Sequence, residues 1–275
     1  MVYLYAYTNF KDGLDSLRRV KVIYERLKEE GIESEILLNE YRAQLLAKEW
    51  GLPLATTIET IKDIDAVVED GNIVVIDSTE EISGKVLDYP KRFRVIYLNS
   101  SCKSVNFEGA EVINLFKDGI LVPDFKDLNP KNSRAIFIYG DSDYEKRILK
   151  YLDEFRGLEL DIYWGIYFFV KYEDIIKEVF KNIVESEDYY EIFKNYSKIL
   201  TSSFQVATEF FFNNYETIFL NINDSSKECL ELLDSYGIKV IDTPREIDFS
   251  NSSKKVNFML KNLDSQILDI IKTYM

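Results

Sequence analysis

Histidine is absent from the 275 residues. That removes the commonest general base and the commonest metal ligand, so proton transfer would fall to a carboxylate, lysine, tyrosine or cysteine. Cysteine is scarce as well: Cys102 and Cys229 stand far apart. Two such residues build neither a disulfide framework nor a metal cluster and fit a reducing, cytoplasmic setting. No strand is followed by G-x-G-x-x-G and there is no P-loop, which excludes the usual dinucleotide fingerprint. No motif calls for a metal or any other cofactor. No apolar run approaches the length of a membrane span, so no transmembrane segment is expected. The opening MVYLYAYTNF lacks a basic start, a long apolar core and a cleavage site, so no secretory leader is expected either. Basic blocks are missing too. The net charge is -14, with acids and bases interspersed, which argues against nucleic acid or an anionic membrane as the main partner. Short-period repeats and low-complexity tracts are also missing.

What is present suits a soluble globular chain, 46% hydrophobic and 30% charged, of a length that fits two ordinary domains. Strands are predicted at 2–7, 33–38, 72–76, 93–98 and 111–114 in the first half, where helices are predicted at 16–30, 42–50 and 58–68. Residues 121–133, LVPDFKDLNPKNS, carry two of the five prolines and read as a linker. Beyond it, strands are predicted at 135–139, 159–164, 198–200, 217–220 and 238–241. The helices there are expected at 144–155, 172–183, 189–196, 204–212, 225–236 and 257–274. Strands alternating with helices predict an α/β fold, with two Rossmann-like parallel sheets. The expected domains are 1–122 and 133–248, with 249–275 as a C-terminal helix packing back on the first domain.

Ligands on such sheets bind at the carboxyl ends of strands. Those ends hold the loop after Tyr7, with Asn9, Asp12, Gly13, Asp15 and Arg18, the Asp77-Ser78 turn, and Asn99-Ser100-Ser101. In the second half they hold Gly140-Asp141-Ser142-Asp143 and the stretch Leu200 to Glu209, LTSSFQVATE. In that stretch Ser202 and Gln205 have capping-box spacing, and the helix start offers amides that can hold an anion. Gln205 and Glu209 lie four apart, on one helix face. Amides at the tip and a carboxylate one turn in could hold a diphosphate and a ribose. Alternatively Ser202 only caps, Glu209 only faces water, Asp77 only starts a turn, and Arg18 and Arg19 lie on a solvated face.

Leu200 to Glu209 resembles the I-S-x-G-G-S-x-x-x-E segment of the nucleotide-sugar hydrolases that remove UDP in pseudaminic acid synthesis. Their spore-coat polysaccharide relatives and, more distantly, the MurG glycosyltransferases are similar. Ser203 and Phe204 stand where that family has two glycines, and Gln205 stands at its serine. Glu209 stands at its ribose-binding glutamate, and Asn223-Asp224 falls near its Asn-Gln turn. Tyr139 to Asp143 resembles its G-G-S-D loop, and Val75 to Ser78 its V-V-D-x-Y turn. Lys11 to Arg18 matches its G-x-G-H-x-x-R loop, reduced to Gly13, with Leu14 in place of the histidine and Arg18 near the arginine.

The resemblance implies the GT-B architecture, with the first domain taking the sugar and acceptor and the second the nucleotide. It implies a nucleotide sugar, UDP-linked for preference, as ligand. The Gly140 loop (Gly140, Asp141, Ser142) and Ser202, Ser203, Phe204 and Gln205 would surround its phosphates, Glu209 and Asn223 its nucleoside. Asn9, Asp12, Gly13, Asp15, Asp77 and Ser78 would face the sugar. Without histidine, Asp15 or Asp77 would act as base, and Arg18 and helix amides would meet the leaving diphosphate. The expected activity is UDP-sugar hydrolysis or glycosyl transfer in surface or flagellar glycan synthesis. The alternative is a non-catalytic GT-B-like protein that binds a protein partner or ligand without turnover.

Overall fold

The structure is a computed structural model. It describes residues 1–275 apart from 102, 126, 127, 129, 131, 132, 169–171, 224 and 252–260. The chain forms two compact units, Met1–Val122 with Lys261–Met275, and Pro123–Leu260.

In the first unit, β1 (Val2–Ala6), β2 (Ser34–Leu38), β3 (Thr56–Thr57), β4 (Ile73–Asp77), β5 (Arg94–Asn99) and β6 (Glu111–Asn114) form one sheet in the order β3-β2-β1-β4-β5-β6. All neighbours are parallel, with Leu4 opposite Ile36 and Val75. Every residue of β1 and β4 is buried, which is why both read as unbroken apolar runs: a parallel sheet is covered on both faces. The helices are α1 (Asp15–Glu29), α2 (Tyr41–Glu49), α3 (Ile64–Val67) and α4 (Tyr89–Arg92).

In the second unit, β7 (Ala135–Ile138), β8 (Leu160–Trp164), β9 (Ile183–Glu185), β10 (Lys198–Thr201), β11 (Glu216–Leu220) and β12 (Lys239–Ile241) run β12-β11-β10-β7-β8-β9. They too are parallel, with Leu200 opposite Phe137 and Ile218. Between them lie α5 (Leu152–Phe155), α6 (Glu173–Lys177), α7 (Ile192–Asn195), α8 (Phe204–Phe212) and α9 (Lys227–Tyr236). α9 stops at Gly237, whose φ of 86° is a left-handed helix end.

The last helix, α10 (Asp264–Tyr274), returns to the first unit and packs on α1. The return is stitched by backbone: Ile120 N donates to Lys261 O at 2.9 Å and Leu263 N to Ile120 O at 2.8 Å. Residues 257–260 of the helix expected there lie outside the described residues.

Several expected elements are broken. The helix expected at 144–155 is a 3-10 turn at Arg147–Lys150 followed by α5. Lys146 sits at φ 55°, a left-handed conformation that an α-helix cannot pass through. The helix expected at 172–183 is one turn and a bit of helix, α6, and then the edge strand β9; that at 58–68 is a 3-10 turn at Ile61–Asp63 and α3. The linker reading also changes at its start. Leu121 and Val122 are fully buried, and Asn213 anchors the next residues, donating to Pro123 O at 2.9 Å and accepting from Phe125 N at 2.5 Å.

Candidate functional site

Both sheets have the same plan. In each unit the first strand sits mid-sheet, the next two add on one side of it and the last three on the other. The strand order therefore reverses between β1 and β4, and again between β7 and β10. The crevice outside the carboxyl ends of such a pair is where an open α/β sheet binds ligands.

In the first unit this point joins the loops after β1 and β4. Tyr7 N donates to Asp77 O at 3.0 Å. Asn9 forms an Asx turn, its Oδ1 accepting from Lys11 N at 2.7 Å and Asp12 N at 2.8 Å. Gly13 closes the loop, donating to Asn9 O at 2.9 Å with φ 76°. Asp12 Oδ2 accepts from Asn9 Nδ2 and from Thr79 Oγ1, each at 2.8 Å. Asn9, Asp12, Gly13, Asp77 and Ser78 are thus brought together, with the Asp12 side chain exposed to solvent.

The two residues expected to act as bases are placed differently. Asp77 is 1% exposed and held by both oxygens: Arg19 Nε reaches Oδ2 at 2.7 Å and Arg19 Nη2 reaches Oδ1 at 2.8 Å. Burial pulls the Arg19 guanidinium down, but the charge and hydrogen bonds of Asp77 outweigh it and hold Arg19 above its ordinary value. This pair makes Asp77 an anchor between β4 and α1. Asp15 accepts from Arg18 Nη1 at 2.9 Å. Arg18 is 1% exposed with its guanidinium 5.5 Å from the Trp50 ring centroid. Neither arginine lies on a solvated helix face: both are interior to the first unit.

Ser78 belongs to a second network. Its Oγ donates to Glu80 Oε2 at 2.9 Å and accepts from Glu80 N at 3.0 Å. Tyr5 OH donates to Glu80 Oε2 at 2.7 Å and Ile61 N approaches the same carboxylate at 3.1 Å. Burial and this carboxylate push the Tyr5 phenol far above its usual range.

In the second unit, Ser202 N donates to Ile138 O at 3.3 Å, so the loops after β7 and β10 meet. Gly140 has φ 143°, which L side chains rarely adopt. Asp141 and Asp143 are buried. Asp141 Oδ1 accepts from Tyr163 OH at 3.1 Å, and its backbone lies against Gly165, where an added Cβ would fall 2.3 Å from Asp141 O. Asp143 accepts from Arg147 N at 2.7 Å and Tyr172 OH at 2.9 Å. Burial pushes its carboxyl up, against the lowering effect of these donors. Ser142, half-buried, lies between them.

The start of α8 departs from expectation in its cap. Ser203, not Ser202, caps the helix, accepting from Val206 N at 3.2 Å. Ser202 is buried and donates to Leu220 O at 2.7 Å, tying β10 to β11. Phe204, in the place of a glycine, turns its ring aside against the Ala207, Phe219 and Leu233 cluster. Gln205 is 1% exposed and Glu209 fully buried. Glu209 Oε2 accepts from Tyr189 OH at 2.9 Å, so it neither faces water nor presents itself to a ribose in this conformation. α8 is apolar on most sides, and its polar residues at 205, 208 and 209 are all interior. Asn223 accepts from Tyr139 OH at 2.5 Å, while Asp224 lies outside the described residues.

One cation on this face was not singled out in the sequence. Arg147 follows the β7 loop, donates to Glu145 at 2.6 Å and reaches Ile222 O at 3.4 Å beyond β11. A basic residue in the segment that follows a strand's glycine loop is the signal that could have found it. Arg19 and Tyr189 carried no such local signal, because their partners are distant in sequence; Glu80 has Ser78 nearby, but its Tyr5 and Ile61 partners are distant too. Among the described residues no group of three or more His, Cys, Asp or Glu could hold a metal ion, and no helix is long and apolar enough to cross a membrane.

No family model matches the sequence, and no curated protein matches it. Solved structures do match in fold. The S. aureus MnaA–UDP co-structure superposes with a TM-score of 0.61 at 12% identity, covering 99% of this chain and 96% of that one. UDP-GlcNAc 2-epimerase from Methanocaldococcus jannaschii gives 0.57 at 12% identity over 99% and 100%. The glycosyltransferase SnogD from Streptomyces nogalater gives 0.57 at 9% identity over 100% of both chains. At such identity the likeness is one of fold, and the fold is GT-B: two Rossmann-like α/β units, each with a six-stranded parallel sheet.

Proposed function

We propose that the chain binds a nucleotide sugar, UDP-linked for preference, with the nucleotide on the second unit and the sugar and acceptor on the first. The observation that carries this is the start of α8 at the strand-order reversal between β10 and β7. There a capped helix N-terminus follows β10 and the Gly140 loop follows β7, the two joined through Ser202 N and Ile138 O, while Arg147 reaches Ile222 O beyond β11. Helix amides with the positive end of the macrodipole suit a diphosphate. Arg147 supplies the charge that Arg18 does not. On this reading the reaction is glycosyl transfer or hydrolysis in glycan synthesis. The base is Asp12, the exposed carboxylate at the reversal point of the first unit, rather than Asp77.

A second reading is favoured by specific residues. Glu209 is sealed beneath Tyr189, and Asp141 and Asp143 place negative charge in the phosphate loop. Such a site could bind a partner protein or ligand without turnover.

The test is thermal stability of the pure protein against UDP, GDP, CMP and their sugars, followed by nucleotide release. UDP at a hundred times its dissociation constant should add about 2.7 kcal/mol to the folded state. Arg147→Gln should weaken UDP about tenfold, the scale of one lost charge-assisted hydrogen bond. No shift with any nucleotide at millimolar concentration ends the nucleotide reading. In the turnover assay Asp12→Asn should slow release about a hundredfold or more while leaving UDP affinity intact. A UDP shift with no turnover across the sugar panel would give the second reading, and an unimpaired Asp12→Asn would remove Asp12 as the base.

A further inference from the structure

A cavity of about 380 Å³ opens in the first unit at the carboxyl ends of β4 and β5. That volume is at the small end of the usual range for ligand sites. Its lining includes Ser78, Thr79, Glu80, Asn99, Ser100 and Asn106, and no lysine or arginine. We propose that this cavity takes a neutral, hydroxyl-rich ligand, one or two saccharide rings, and so selects the acceptor class. As an acceptor site it rests on the nucleotide-sugar reading; as a saccharide pocket it stands on its own lining.

The walls are rigid because their polar groups are already engaged. Asn99 Nδ2 donates to Lys103 O at 2.7 Å and Asn114 Oδ1 at 2.9 Å, while its Oδ1 accepts from Ser101 Oγ at 2.7 Å. Ser78 and Glu80 hold each other, and Tyr97 OH donates to Ser78 O at 2.9 Å. Two lining residues are different. The side chains of Ser100 and Asn106 have no hydrogen-bond partner among the described residues. A hydroxyl and a carboxamide together donate and accept, which matches vicinal sugar hydroxyls.

Charge and shape narrow the ligand further. The Glu80 carboxylate, with no cation in the lining, repels phosphorylated or carboxylated compounds. Ile82 and Val105, packed on the core beside Tyr97 and Phe107, form an apolar wall suited to the C–H face of a sugar ring. A flat polycyclic aglycone would leave the amide and hydroxyl groups of the opposite wall without water or partner, at a cost.

The test is titration by ligand-observed NMR with methyl glucoside, methyl galactoside and N-acetylglucosamine as neutral probes. Glucuronate and glucose 6-phosphate serve as anionic probes and 1-naphthol as the apolar one. At least one neutral sugar should bind at millimolar concentration, and the anionic sugars about tenfold or more weaker. Ser100→Ala with Asn106→Ala should weaken the neutral sugar about tenfold, with UDP affinity and thermal stability unchanged. The proposal is overturned if no neutral sugar binds, if an anionic probe or naphthol binds better, or if the double variant binds as before. Sugar binding without any UDP shift would sink the nucleotide reading and leave the saccharide pocket. A UDP shift without sugar binding would do the reverse.

Discussion

Asp77→Ala is expected to cost the first unit about 3–5 kcal/mol, because it leaves the Arg19 guanidinium buried without its partner. Arg19 is 4% exposed and Asp77 1%, so water cannot replace the lost carboxylate without opening the contact between α1 and β4. The attraction is a two-point one, at 2.7 and 2.8 Å, and such pairs are strong in both energy and geometry. Chemical denaturation followed by hydrogen exchange in β1 and β4 would measure the loss in the first unit separately from the second. The double replacement Arg19→Met with Asp77→Leu should recover most of it, since an apolar pair of similar volume carries no desolvation penalty. A loss below about 1 kcal/mol would show that the pair is not an anchor. Asp77 would then regain its candidacy as a base.

Phe210→Ala should cost the second unit a similar amount, about 3–5 kcal/mol. Phe210 is fully buried and stacked on Phe193 at 4.0 Å between ring centroids with 9° between planes. Tyr215 meets it edge-on at 5.3 Å and Tyr189 at 6.3 Å. Phe193 in turn contacts Phe125 at 4.8 Å. Removing the ring leaves a cavity at the centre of this aromatic cluster and unseats α8, whose other end forms the proposed phosphate site. Thermal unfolding would read the stability change, and UDP titration at a temperature where the variant is folded would read the coupling to the site. A loss under about 1.5 kcal/mol would mean that the neighbouring rings collapse into the space.

Much of the fold was legible in the sequence because parallel sheets bury both faces. The runs VYLYA and IVVID needed no alternation to read as strands, and their spacing by helices gave the α/β class. β3 and β9 were not legible: two or three residues at a sheet edge are too short to carry a pattern. The helix expected at 144–155 failed for a different reason. Its apolar spacing is helical, but Lys146 adopts a left-handed conformation that side-chain pattern does not encode. Loops at strand ends were readable one by one, and Asn9, Asp12, Ser78, Gly140 and Ser203 all lie on them. Strand order was not readable, so nothing local said that the loop after β1 would meet the one after β4.

The charged residues were the hardest to place. Arg18, Arg19 and Glu209 sit in helices where a charge ordinarily marks the solvent side, yet all three are interior. Arg19 is paired with a carboxylate 58 positions away, and Glu209 accepts a hydrogen bond from a tyrosine on a separate turn. The identity of such partners is a property of the folded chain, and so the sequence reading could not tell that both arginines are interior rather than on a solvated face.

The return of α10 to the first unit sets an order of events during synthesis. Its apolar face, with Ile267, Leu268 and Ile271, covers α1 only after the whole second unit has been made. Until then α1 waits with one side uncovered, while the second unit already has all of its strands. The segments that complete the first unit therefore flank the second in sequence, and the packing on α1 is completed only by residues made after every strand of the second unit.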